Sequence, residues 1–284
     1  MEILLHTFIH TLTDSLKTLP FLFGVYLLIE FLEHKASDKL ESALRRLGPF
    51  GPVGGAAMGC IPQCGFSVVA SNLYSGRIIS LGTLLAVFIA TSDEAIPVLI
   101  TSPNAGKEIL RLLLAKVIIA LVSGLLVDSI MRFFKRKSNE ENEPYHELCD
   151  CCDCEHHSIF YSAFKHTLQI FLFIFVISFL FGLGIELIGE DTLGKLLMSD
   201  SLLQPILAAL VGLIPNCAPS VILTELYISG TLSFGSVVAG LSTGAGMGLV
   251  VLYRTNKNLR QNLTVTALLY IIGALSGIII DLVI

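Results

Sequence analysis

An internal duplication constrains this chain more than any other feature. Displaced by 153 positions, Gly59-Cys60-Ile61-Pro62-Gln63-Cys64-Gly65-Phe66-Ser67 falls on Gly212-Leu213-Ile214-Pro215-Asn216-Cys217-Ala218-Pro219-Ser220. Without a gap, Tyr74 then meets Tyr227, Ser80 meets Ser233, Gly82 meets Gly235, Ala86 meets Ala239, Ser123-Gly124 meets Ser276-Gly277, and Asp128 meets Asp281. Upstream, a displacement of 156 aligns His10-Thr11-Leu12 with His166-Thr167-Leu168 and Glu30 with Glu186. So many unlike residues in register over most of the chain mean that one unit is used twice.

The unit is written for a bilayer. Of 284 residues 54% are hydrophobic and 14% charged, with a mean hydropathy of +0.78, whereas soluble domains carry about 25% charged residues. Apolar runs at 16–32, 79–100, 109–134, 159–188, 233–252 and 263–284 approach or exceed the roughly 20 helical residues that cross a hydrocarbon core. They lack the period-2 alternation of a membrane barrel. The first ten residues have neither the basic start nor the cleavage site of a removable signal, so none is expected. A net charge of −5, carried in loops, lends nucleic-acid binding no support.

The expected fold is an all-α polytopic membrane protein. Each repeat has about five helical segments, in the first at 12–33, 48–60, 64–75, 79–100 and 108–134. The short pieces reach about 18 Å each, too little to cross alone. Pro62 and Pro215 sit at their junctions, which reads as a re-entrant hairpin or a broken helix. Either way a unit crosses an odd number of times, so two in series carry opposite orientations. The domains are then a first transmembrane repeat over 1–134, a linker over 135–157 and a second repeat over 158–284.

Basic residues test that topology. With the loop after the first span on one side, that side holds Lys35, Lys39, Arg45, Arg46, Arg77, Arg132, Lys135, Arg136, Lys137, Lys165, Arg254, Lys257 and Arg260. The other holds Lys17, Lys107, Arg111 and Lys195, and Lys116 falls inside a span. Thirteen against four makes the first side cytoplasmic. Both termini are then expected outside the cytoplasm, and the 135–157 loop inside it.

The paired Pro-x-Cys junctions are candidates for substrate binding. Interrupted helices leave backbone groups unpaired at membrane depth, where only a cavity or buried protein tolerates them. Inverted-repeat transporters bind substrate at such breaks. Gln63 and Cys64 stand at one, Asn216 and Cys217 at the other, oxygen and sulfur groups suited to a metal or metalloid. The structural alternative is a kinking proline beside a packed cysteine. Asp93 and Glu94 lie two-thirds along an otherwise apolar span, where a carboxylate is costly unless paired or hydrated. The second repeat has Gly246 and Met247 there, so the chemistry is asymmetric on a symmetric scaffold. The competing reading has Asp93 capping a break before Pro97. Glu225 is a third embedded acid. The duplicated His10/His166, Glu30/Glu186 and Asp128/Asp281 read as helix-end anchors or partners of basic loops, with a proton relay the alternative for the His and Glu pairs.

Within the linker, His146, Cys149, Cys151, Cys152, Cys154, His156 and His157 crowd into twelve residues. Cytoplasmic thiols stay reduced, and such ligands suit Zn²⁺, Cu⁺ or As(III). The spacing is not that of a folded zinc module, so a flexible metal-gathering tract is expected, against a merely solvated linker. Gly189-Glu190-Asp191-Thr192-Leu193-Gly194-Lys195-Leu196 approaches a P-loop but ends in Leu and follows no strand. No enzyme activity and no resident cofactor are expected, and transport would run on gradients.

The paired Gly-x-Ile-Pro-x-Cys motifs, Thr91-Ser92-Asp93-Glu94 and the His/Cys-rich linker resemble the bacterial ten-helix heavy-metal exporters, often labelled manganese transporters. They are more distantly similar to the arsenical permeases. The resemblance spans nearly the whole chain. It implies an inner-membrane exporter of a metal ion, whose partners are the bilayer and its metal or metalloid substrate, with oligomerisation left open. The oxygen ligands favour a divalent cation such as Mn²⁺. Cys64 and Cys217 suit arsenite or another thiophilic species, and a membrane metal sensor that transports nothing is the third reading.

Overall fold

The computed structural model describes residues 50–60, 64–91, 95–100, 105–137, 159–188 and 203–283, with scattered positions between 8 and 27. Its regular elements among these residues are all helices: α1 (Gly51–Gly59), α2 (Cys64–Ser75), α3 (Leu81–Ala90), α4 (Ala95–Ile100), α5 (Ala105–Lys137), α6 (Ile159–Ile188), α7 (Gln204–Gly212), α8 (Ala218–Ile228), α9 (Phe234–Thr243), α10 (Met247–Thr255) and α11 (Leu259–Val283). The all-α, multi-span expectation holds. Proline lies in the first turn of α1, α7 and α8, where its missing N–H costs nothing.

The breaks at the Pro-x-Cys motifs are present as helix ends. α1 stops at Gly59 and α2 starts at Cys64, while α7 stops at Gly212 and α8 starts at Ala218. Pro215 lies in the second gap; Pro62 and Gln63 lie outside the described residues. The runs at 79–100 and 233–252 hold as candidate spans, over 81–100 and 234–255, but each is divided. α3 ends before Thr91, whose extended backbone (φ −60°, ψ 130°) leaves the helix, and α4 begins at Ala95. α9 ends at Thr243, and Gly246 turns the chain into α10 at φ 52°, ψ −138°, a conformation available only to glycine. Pro97 falls in the first turn of α4, where it does no harm.

Burial explains where interruption is tolerated. Over 81–100 and 234–255 the candidate membrane spans are 73% and 83% buried, against 28% for 106–133 and 259–283. The divided helices therefore occupy the protein interior, and the continuous α5 and α11 face outward. Leu110, Leu114, Ile118 and Ile130 on α5 are exposed, as are Leu263, Ile271 and Leu275 on α11.

Each repeat builds the same trio. α3 packs against α1 and α5, and α9 against α7 and α11. A methyl added at Gly82 would collide with the carbonyl of Gly124, and one at Gly235 with that of Gly277. Asp128 and Asp281 close the N-termini of α3 and α9, so their structural role is as helix caps; headgroup anchoring and partnership with basic loops give way to this. The remaining pieces are exchanged: α2 packs along α10, and α8 along α4. Ser71 Oγ donates to the Gly248 carbonyl at 2.6 Å, and Ser75 and Thr255 hydroxyls lie 2.7 Å apart.

Equivalent turns of the two units lie at opposite ends of α5. Ser80, after the turn that ends α2, bonds Asp128 near the end of α5. Tyr227, at the end of α8, bonds Glu108 near the start of α5 at 2.5 Å. Twenty residues of helix, about 30 Å, separate Glu108 from Asp128. The two turns share a local fold. Ile78 N bonds Leu73 O and Thr231 N bonds Leu226 O, both at 2.9 Å, with Arg77 (φ 59°) and Gly230 (φ 76°) in the left-handed region.

Candidate functional site

The break in the second Pro-x-Cys motif is held by its own side chains. Asn216 Oδ1 accepts the Cys217 backbone N–H at 2.7 Å and the Cys217 thiol at 3.2 Å. Asn216 Nδ2 donates to the Ser178 carbonyl of α6 at 3.4 Å, and Ser178 Oγ donates to Met247 Sδ at 3.3 Å. α6 thus touches both interruptions of the second repeat. Asn216 and Cys217 are half-buried, which keeps an amide and a thiol accessible beside a broken helix.

The two divided helices meet through a lysine. Lys116, in the middle of α5, is fully buried. Its Nζ donates to the carbonyl of Thr91, at the end of α3, and to the carbonyl of Leu241 on α9 at 2.8 Å. Next to Leu241, the Ser242 hydroxyl is buried with no hydrogen-bond partner among the described residues. Thr243 Oγ1 reaches back to the Ala209 carbonyl of α7 at 2.7 Å. A second polar group sits toward the start of α5: Tyr227 bonds Glu108, and the Arg111 guanidinium lies 4.0 Å over the Phe234 ring.

Of the sequence candidates, Asn216 and Cys217, neighbours in the chain, hydrogen-bond to one another. Cys64 is the first residue of α2, while Gln63, Asp93 and Glu94 lie outside the described residues. In the chain, 92–94 are the residues between α3 and α4. Glu225 is exposed on α8, eight residues from Cys217 and so about 12 Å along the helix. The structure does not draw it to the break. His146, Cys149, Cys151, Cys152, Cys154, His156 and His157 are outside the described residues, as are His10, Glu30 and the side chains of His166 and Glu186. Among the described residues no three His, Cys, Asp or Glu side chains converge as a metal-holding group.

Sequence reasoning gave Lys116 no role beyond the charge tally, and passed over Ser178 and Ser242. The signal for Lys116 was there, since an ionisable group amid an apolar span marks a site by default. Ser178 and Ser242 carried none, because a serine in an apolar helix is ordinarily satisfied by the carbonyl one turn back.

A family model described as "Putative, 10TM heavy-metal exporter" matches residues 4–189 and 156–284. No curated protein and no solved structure matches the chain.

Proposed function

The chain belongs to this family of ten-transmembrane heavy-metal exporters, and on that premise we propose that it carries a divalent cation, Mn²⁺ first, across the cytoplasmic membrane by alternating access. One observation supports the reading: the candidate span that contains α3 and α4 is largely buried, and Asp93 and Glu94 are among the residues that join those two helices in the chain. Carboxylates are the oxygen donors that a hard or borderline divalent ion takes. The Asn216 carboxamide at the other repeat's break supplies a neutral oxygen. Gln63 and Cys64 would complete the pair of breaks, with Glu225 outside this group.

The two repeats, 1–134 and 158–284, would be inverted and rock against one another. The opposite placement of Ser80 and Tyr227 on α5 supports this. Residues 135–157 would form a cytoplasmic tract that gathers metal through its histidines and cysteines. An arsenical is the second reading, favoured by the half-buried Cys217 thiol at the break.

Flux of Mn²⁺, Zn²⁺ and arsenite into proteoliposomes tests the proposal. Asp93→Asn and Glu94→Gln should keep the protein folded and lower Mn²⁺ flux at least about tenfold, the loss of roughly 1.4 kcal/mol. Cys64→Ser and Cys217→Ser should cost Mn²⁺ little and Zn²⁺ or arsenite severely, since a hydroxyl is a poor soft ligand. Unchanged flux in both acid variants would defeat the divalent-cation reading and put the arsenical ahead.

A further inference from the structure

The two interruptions release backbone carbonyls at the centre of the protein. In a continued α9, Ala245 N–H would serve Leu241; here it bonds the Thr243 carbonyl at 2.8 Å instead. Leu241 O is therefore left to another donor. Thr91 caps the end of α3 and its carbonyl lies beyond the last turn. Carbonyls at the C-terminal ends of half-helices carry partial negative charge, and transporters with broken helices use such ends to coordinate an alkali cation.

Both carbonyls accept from Lys116 Nζ. The lysine comes from the first repeat, Thr91 from the first and Leu241 from the second, so one side chain joins half-helices of both units. The equivalent position in the second repeat is not a lysine. Leu269 stands 153 positions after Lys116, fully buried among Leu84, Phe88 and Leu252.

We propose that the Lys116 ammonium is a built-in replacement for a coupling alkali cation, holding the ends of α3 and α9 together and making transport independent of Na⁺ and K⁺. The proposal rests on the transport reading for its consequence, but its geometry and main test do not. A tethered ammonium offers the same carbonyls the same single charge, without the entropy of capturing an ion from solution.

Thermal unfolding of the purified full-length protein at constant ionic strength reads this directly, with NaCl, KCl, methylammonium chloride or choline chloride as the salt. Wild type should melt at one temperature in all four. Lys116→Ala should melt lower in choline and recover by about 2–4 °C in Na⁺, K⁺ or methylammonium, because a small cation binds only the folded state. Wild type stabilised by Na⁺ or K⁺ over choline overturns the proposal, as does a Lys116→Ala protein that no small cation stabilises. Should Lys116→Ala fail to fold, Lys116→Ser and the wild-type salt series decide. Metal flux by wild type should be equal in the alkali and choline salts, and flux that requires Na⁺ or K⁺ also counts against it. A protein that moves no metal yet shows the predicted melting pattern would refute the exporter reading and leave the lysine's role standing.

Discussion

Asp128 and Asp281 make the same pair of hydrogen bonds, 153 positions apart. Asp128 accepts from Ser80 Oγ at 2.6 Å and from the Gly82 N–H at 2.8 Å. Asp281 accepts from Ser233 Oγ at 2.6 Å and from the Gly235 N–H at 2.8 Å. Each carboxylate comes from a peripheral continuous helix and closes the N-terminus of an interior one. There it satisfies a free donor and sits at the positive end of the helix dipole. The glycines are needed for the approach, since a methyl at either would strike the carboxylate.

Asp128→Asn and Asp281→Asn should therefore destabilise the protein alike, each by about 1–2 kcal/mol. Reversible unfolding of each variant in detergent micelles measures this. Equal losses are expected from equal geometry; a loss at one position with none at the other would show that the duplicated caps do not share a role.

Glycine is not equally needed at the two described positive-φ glycines. Gly230 occupies the turn position that Arg77 fills in the first repeat, at similar φ, so a side chain is tolerated there at about 1 kcal/mol. Gly246 at φ 52°, ψ −138° is in a region closed to other residues. Gly246→Ala should cost about 1–3 kcal/mol and clearly more than Gly230→Ala, by the same unfolding measurement.

The proposed orientation rests on an odd number of crossings per unit and on the thirteen-to-four distribution of basic residues. Cysteines introduced singly into a suitable background at 105 and 284 should react with an impermeant thiol reagent in whole cells, while one at 150 should be protected. Labelling of 105 and 150 from the same side would overturn the inversion.

The linker is an accessory on this reading. Deleting 146–157 should leave metal flux by the membrane core within about threefold of wild type, a change of under 1 kcal/mol. The isolated peptide should bind Zn²⁺ or Cu⁺ through its cysteines and histidines. A deletion protein that is folded and wholly inactive in vesicles would favour the sensor reading.

The amino-acid sequence alone carries the duplication, the membrane class and the helix breaks beside Pro215 and between Gly59 and Cys64. Periodic apolar runs, prolines and residues kept in register are properties of the chain alone. It also marked the family, through motifs that recur in order. A break in 79–100 was open in the sequence, as the reading of Asp93 before Pro97, but the division of 233–252 was not legible, because an apolar run looks the same whether its helix continues or breaks. Burial decided it: interruption is tolerated where neighbouring helices supply partners, as Lys116 does for Thr91 and Leu241. The exchange of α2 onto α10 and α8 onto α4 likewise rests on close contacts such as Gly248 against Ser67, which no local pattern encodes. Tertiary structure also turned Asp128 and Asp281 from helix-end anchors into caps, since the donors they serve lie 46 to 48 residues away in the chain. A carboxylate at a span end reads identically in sequence whether it faces water or another helix, and only packing brings the second helix to it.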